Sequence, residues 1–146
     1  MVLITKKVDI GKIKIMKTYF IGDCHFDHFN IIKYCKRPFS NVEEMNSFMI
    51  DKWNETVSPE DTVYYLGDIS YGRDSRGPGY WLSLLNGNKI LIKGNHDRDL
   101  RGIRPVNRYL VETFGGKNFL LIHSPEYDYP IGTKFCTKCG DPLKWD

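Results

Sequence analysis

The sequence predicts an α/β fold: one domain of short buried strands joined by helices and polar loops. Three observations predict it. The chain has 146 residues, enough for one hydrophobic core and too few for two. Short runs of Ile, Val, Leu and aromatic residues alternate with polar stretches, and the stretch between the first two runs has helical spacing. Each of four apolar runs is followed at once by Asp, Asn or His, as expected where the carboxyl ends of strands assemble a ligand site.

The elements follow in chain order. Residues 1–15 alternate Lys with Val and Ile and read as an N-terminal extension or a lysine-blunted edge strand. The domain is expected to begin at Met16, with a first strand over Thr18 to Ile21. Ser40-Asn41-Val42-Glu43 has capping-box spacing, Ser40 serving as cap and Glu43 reaching back. Val42, Met45, Phe48, Met49 and Trp53 then share one helical face that points to the core, and Pro59 lies beyond the helix end. A second strand covers Thr62 to Leu66. Gly72 to Gly79 reads as a mobile, charged loop able to cover or select a substrate. A short helix over Tyr80 to Leu85 stops at Asn86-Gly87, and a third strand covers Lys89 to Ile92. Tyr109 to Thr113 and Lys117 to Ile122 flank Gly115-Gly116 as a hairpin, and Phe119 to Ile122 is the fourth apolar run.

Composition narrows the function classes. With 41% apolar and 14% aromatic residues the chain can bury a core, which excludes global disorder. A net charge of +3 is too mild to indicate a nucleic-acid binder by itself. No apolar run reaches the ~18 residues of a membrane span, and residues 1–15 lack a leader's apolar centre. Four cysteines without a leader point to reduced thiols or a metal site, and to a cytoplasmic protein.

The four strand ends carry the chemistry. They read Gly22-Asp23-Cys24-His25, Gly67-Asp68, Gly94-Asn95-His96-Asp97 and His123-Ser124-Pro125. Carboxylates and imidazoles gathered on one rim suit divalent metals of intermediate softness: manganese, iron, zinc or nickel. In this order and spacing the motifs resemble the calcineurin-like metallophosphoesterases, from about Met16 to Pro125. Phe26 to Phe39 is similar to a small prokaryotic and phage branch of that family. The resemblance implies a β-sandwich flanked by helices, truncated at its C-terminus, with a two-metal site on one rim. It implies that Asp23 and His25 bind one ion, that Asp68 bridges two, and that Asn95 and His123 bind the second. His96 would act as general acid, with Asp97 positioning its ring. The implied activity is hydrolysis of a phosphomonoester or phosphodiester by a metal-activated hydroxide. Phosphorylated small molecules, nucleotides and phosphoproteins are all compatible substrates. Arg37, Arg98 and His28 are candidate substrate contacts, the arginines through phosphate and His28 alternatively as a partner behind the ligands.

The chain departs from the family pattern in one respect. The four histidines are His25, His28, His96 and His123, so none remains for the Gly-His-x-His motif that completes both metal sites in the family. The domain is expected to end near residue 130, followed by a tail over 131–146 that carries Cys136 and Cys139. Several readings follow. The chain is a weak enzyme, a silent metal-binding scaffold, or an enzyme in which these cysteines replace the missing donors. Phe-Cys-x-x-Cys-Gly also resembles half a zinc ribbon, which would need a partner or a dimer to supply the other two ligands, making a zinc-dependent partner or nucleic-acid module. The plain alternative is a flexible, reduced tail.

Overall fold

Strands β1 (Thr18–Ile21), β2 (Thr62–Tyr65), β3 (Asn88–Ile92) and β4 (Val106–Asn107) lie side by side in chain order, all parallel. The computed structural model describes residues 16–97, 100–103 and 106–124. The expected extension over 1–15 and tail over 131–146 lie outside the described residues, as do Arg98, Cys136 and Cys139. Ile21 pairs with Tyr65 and Tyr65 with Leu91, so three strands finish level and deliver the residues that follow them to one rim.

Helices α1 (Phe29–Tyr34), α2 (Val42–Thr56) and α3 (Pro78–Ser83) occupy the crossovers. Alternation along β2 and β3 sends Val63, Tyr65 and Leu91 to one face, where they join Trp53 of α2 and Trp81 and Leu82 of α3. Tyr64 and Ile92 face the other way, onto a second sheet made by β5 (Tyr109–Phe114) and β6 (Lys117–Ile122), where Leu110, Phe114 and Leu121 meet them. Both faces of β2 are therefore covered, which explains why Val63 to Tyr65 is an unbroken apolar run. The molecule is an α/β fold, a β-sheet core flanked by helices, as predicted.

Local chemistry accounts for the boundaries, with four differences from expectation, the simplest being that α3 runs over Pro78–Ser83 rather than Tyr80 to Leu85, because Pro78 starts its first turn. Asn41, not Ser40, caps α2: its side chain accepts from the Glu44 amide at 2.8 Å, and the Glu44 carboxylate accepts from the Ser40 amide at 2.9 Å. The reciprocal box exists one residue later than predicted, because helix geometry starts at Val42. Phe48 is half-exposed rather than core, since the buried seam of α2 runs through Met45 and Trp53, two i,i+4 steps apart, and Phe48 flanks it against Phe39. Helix α1 and strand β4 were not among the predicted elements; six residues with only Ile31 buried, and two residues, carry too little periodicity to read. The hairpin turn is as predicted, with Gly115 and Gly116 both at positive φ, 55° and 78°. Among the described residues no helix is long and apolar enough to cross a membrane.

Candidate metal centre

The rim is built by a loop that continues the sheet without being strand. After β1 the amides of Asp23, His25 and Phe26 donate to the carbonyls of Gly67, Asp68 and Ile69 at 2.9 to 3.0 Å. Asp23, His25 and Asp27 all take positive φ (56°, 53° and 63°), as does Asp68 at 55°. Such conformations cost on the order of 1 kcal/mol or more each in a non-glycine residue, and they concentrate where side chains must be aimed. Arg37 holds the loop from outside. Its guanidinium donates to the Cys24 carbonyl at 2.7 Å and the Asp23 carbonyl at 2.8 Å. Arg37, expected as a phosphate contact, here has a backbone role, because two fixed carbonyls match its planar fork. Between the two aimed side chains Cys24 turns into the core, where burial pushes its thiol up to about 11 despite the neighbouring Tyr65 hydroxyl.

Asp68 sits where the loops after β2 and β3 touch. A Cβ on Gly67 (φ 93°) would come within 2.6 Å of the Gly94 Cα, and one on Gly94 would fall on the Asp68 carboxylate. Two glycines therefore let the loops close on each other. Asp97, almost wholly buried, locks that closure: its carboxylate accepts from the amides of Asp68 and Ile69, both at 2.9 Å, and of Gly94 at 2.8 Å. This differs from the expected contact with the His96 ring. Three amides converge on Asp97 from two loops, so it orients the backbone that carries Asp68 and His96 rather than the imidazole.

The side chains of all four strand ends converge on one oxygen. Asp68 Oδ2 lies 3.4 Å from His25 Nε2, 3.5 Å from His123 Nε2 and 3.8 Å from His96 Nε2. Asp23 Oδ1 is 3.7 Å from His25 Nε2, and donor atoms of Asp23, His25 and Asp68 lie within 4.8 Å of one another. Asn95 joins from the far side, its Oδ1 2.9 Å from His123 Nε2. The spacing suits a cation. Ligands on bonds of about 2.1 Å, 90–110° apart, stand about 3.0–3.5 Å from each other. The donor chemistry agrees. His123 Nδ1 donates to the Leu66 carbonyl at 2.6 Å, so a neutral ring would present its Nε2 lone pair to two oxygens. That arrangement is repulsive unless a proton or a cation lies between them. Burial also holds the His25 imidazole below its ordinary pKa, against the upward pull of Asp68 and Asp23, so the ring is neutral and able to ligate.

Around this cluster lie His28, already a candidate from the sequence, and Tyr71 and Asp27, which sequence reasoning missed. His28 stands behind His25, their Nδ1 atoms 3.2 Å apart. The Tyr71 ring packs 4.6 Å from both His96 and His28. Asp27 gathers five donors: Asn46 Nδ2, Ser75 Oγ, the Arg76 amide, Arg76 Nη2 and Trp81 Nε1, at 2.9 to 3.2 Å. These bonds pin the segment expected to be a mobile loop over Gly72 to Gly79. The pinned segment and His96 enclose a cleft of about 510 Å³ beside the cluster. No periodicity marks Asp27, because its partners come from up to 54 residues away.

The chain resembles proteins of archaeal, phage and bacterial origin. The chain is 44% identical over 116 residues to an uncharacterized protein of Methanocaldococcus jannaschii, MJ1445, covering 79% of this chain and 62% of that protein. It is 36% identical over 94 residues to the gene 66 protein of Mycobacterium phage L5, covering 62% of this chain and 42% of that one. Among solved structures it is similar to AQ665 of Aquifex aeolicus, a protein of unknown function, with a TM-score of 0.63 and 31% identity over 79% of this chain and 64% of that chain. The chain thus spans less than two thirds of the length of these relatives. Prokaryotic and phage relatives agree with the resemblance noted for Phe26 to Phe39. Residues 16–142 match the family model for calcineurin-like phosphoesterases, and on the extent of that match the chain belongs to the calcineurin-like phosphoesterase family.

Proposed function

We propose that the chain binds one divalent cation through Asp23, His25 and Asp68 and hydrolyses phosphoric esters weakly. The carrying observation is the donor triad of these three residues, whose ligand atoms lie within 4.8 Å of one another. Asp68, Asn95 and His123 offer a second, poorer position. Among the described residues this triad is the one group of three such donors close enough to hold an ion, which favours weak turnover over an efficient two-ion site. Manganese, iron, zinc and nickel all suit these oxygen and imidazole donors.

A bound cation supplies a water acidified toward neutrality and neutralises phosphoryl oxygens. The chain's own groups do the rest. With the His25 lone pair on Nε2, its Nδ1 proton is donated to His28, which fixes the tautomer and the ring plane. The Leu66 carbonyl does the same for His123. His96 is about one third exposed and its backbone amide donates to Asp68 Oδ1 at 2.9 Å, which holds its ring between the cluster and the cleft. From there Nε2 can pass a proton to a departing alkoxide. A phosphomonoester or a phosphodiester would satisfy this chemistry.

Calorimetric titration with manganese(II), together with hydrolysis of bis(p-nitrophenyl) phosphate and p-nitrophenyl phosphate, tests the proposal. One ion is expected to bind tightly and a second weakly. Asp68→Asn, which keeps the acceptor for the His96 amide, is expected to abolish tight binding and turnover together. Tight binding that survives Asp68→Asn would refute the assignment. Binding without turnover for any of the four metals would leave the metal-binding scaffold as the function.

A further inference from the structure

The cleft beside His96 has a composition of its own. Its lining includes Tyr71, Arg73, Arg76 and His96. Arg76 is already neutralised: Asp27 Oδ1 accepts from its Nη2 at 3.1 Å, and the guanidinium lies over the rings of Tyr80 and Trp81 at 4.8 and 4.3 Å. Arg73 is exposed and makes no ion pair among the described residues, and its neighbour Asp74 is not part of the lining. Among the described lining residues Arg73 is therefore the one cation without an ion pair. Tyr71 supplies an aromatic surface, held in place by its packing on His28 and His96. The wall is rigid, since Asp27 ties Ser75, Arg76 and Trp81 together. A volume of about 510 Å³ accommodates a nucleotide-sized group.

We infer that this cleft receives a leaving group that is itself a nucleotide, its base against Tyr71 and its phosphate paired with Arg73. The inference rests on the hydrolytic reading above, because it takes the group protonated by His96 to lie on the cleft side of that ring. In the reaction the oxygen of water bonds to phosphorus and the ester P–O bond breaks. The electron pair of that bond goes to the leaving oxygen, which takes the proton from His96 Nε2, while the water proton is released to solvent. The substrate class is then a phosphodiester linking nucleotides, rather than a small phosphomonoester.

Two thymidine dinucleotides test it, one phosphorylated at both ends and one with both ends free, so that whichever ester oxygen departs carries a phosphate only in the first. The wild type is expected to prefer the phosphorylated dinucleotide. Arg73→Ala is expected to lower the ratio of the two kcat/KM values about tenfold, and Arg73→Lys to restore part of it. Calorimetric binding of thymidine 3′,5′-bisphosphate gives a readout free of turnover, and Arg73→Ala is expected to weaken it about tenfold as well. Hydrolysis with no dependence of either quantity on Arg73 overturns the cleft assignment. Absence of hydrolysis with Arg73-dependent binding of the bisphosphate upholds the cleft and overturns the hydrolytic reading instead.

Discussion

Asp97 and Arg37 both act on the backbone near the cluster, one from inside and one from outside. Replacing Asp97 by Ala would strand three buried amides, and each orphaned donor costs about 1–3 kcal/mol. Asp97→Ala is therefore expected to lose at least about 3 kcal/mol in urea denaturation. A variant as stable as the wild type would return Asp97 to the side-chain role expected from the family. Arg37 makes a different prediction. Its fork spans the carbonyls of Asp23, which takes positive φ, and of Cys24, which lies between Asp23 and the positive-φ His25. Arg37→Lys keeps the charge but not the bidentate geometry, so manganese affinity is expected to fall about tenfold while the thermal midpoint moves little. Calorimetry and thermal denaturation on the same samples separate the two effects; equal loss in both would make Arg37 merely structural.

The connecting segments, more than the strands, shape the rim. The segment before α3 is held by Asp27, and its hold depends on charge. Burial alone would push that carboxyl up. Donation from the Arg76 amide and guanidinium and from the Trp81 indole outweighs it, so the group sits below its usual range. A carboxyl lowered on folding adds stability above its ordinary pKa of about 3.9. That stability is lost as pH falls below this value, through the folded pKa. Asp27→Asn is accordingly expected to be less stable than the wild type at pH 7, with the gap closing as pH falls well below about 3.9. Urea denaturation across that range checks it, and a constant gap would show that the Asn46, Ser75 and Trp81 bonds act without the charge.

At the scale of the molecule, the site depends on two sheets keeping their distance. Three of the converging strand ends leave the parallel sheet, but His123 arrives from β6, whose Leu121 packs with Tyr64 and Ile92. Leu121→Ala is expected to cost about 2–4 kcal/mol, as deletions of buried leucine do. It should also weaken the second metal position selectively, since only His123 moves with the hairpin. Manganese titration would then show the tight site retained and the weaker one lost; loss of both would mean that the hairpin supports the whole rim.

Much of this was readable in advance, for reasons particular residues make plain. Val63 to Tyr65 and Leu91-Ile92 are buried on both faces, so they stand out as apolar runs, and Gly115-Gly116 can hardly be other than a tight turn. The strand ends could be found because glycine, carboxylate and imidazole follow those runs directly. Short-range chemistry of this kind is written along the chain, one to four residues at a time. The duties of Asp97, Arg37, Asp27 and Tyr71 are not, because each depends on groups 13 to 54 residues away that only the closed loops bring near. A carboxylate or guanidinium looks the same in sequence whether it meets a phosphate or a backbone amide or carbonyl; its neighbours in space choose.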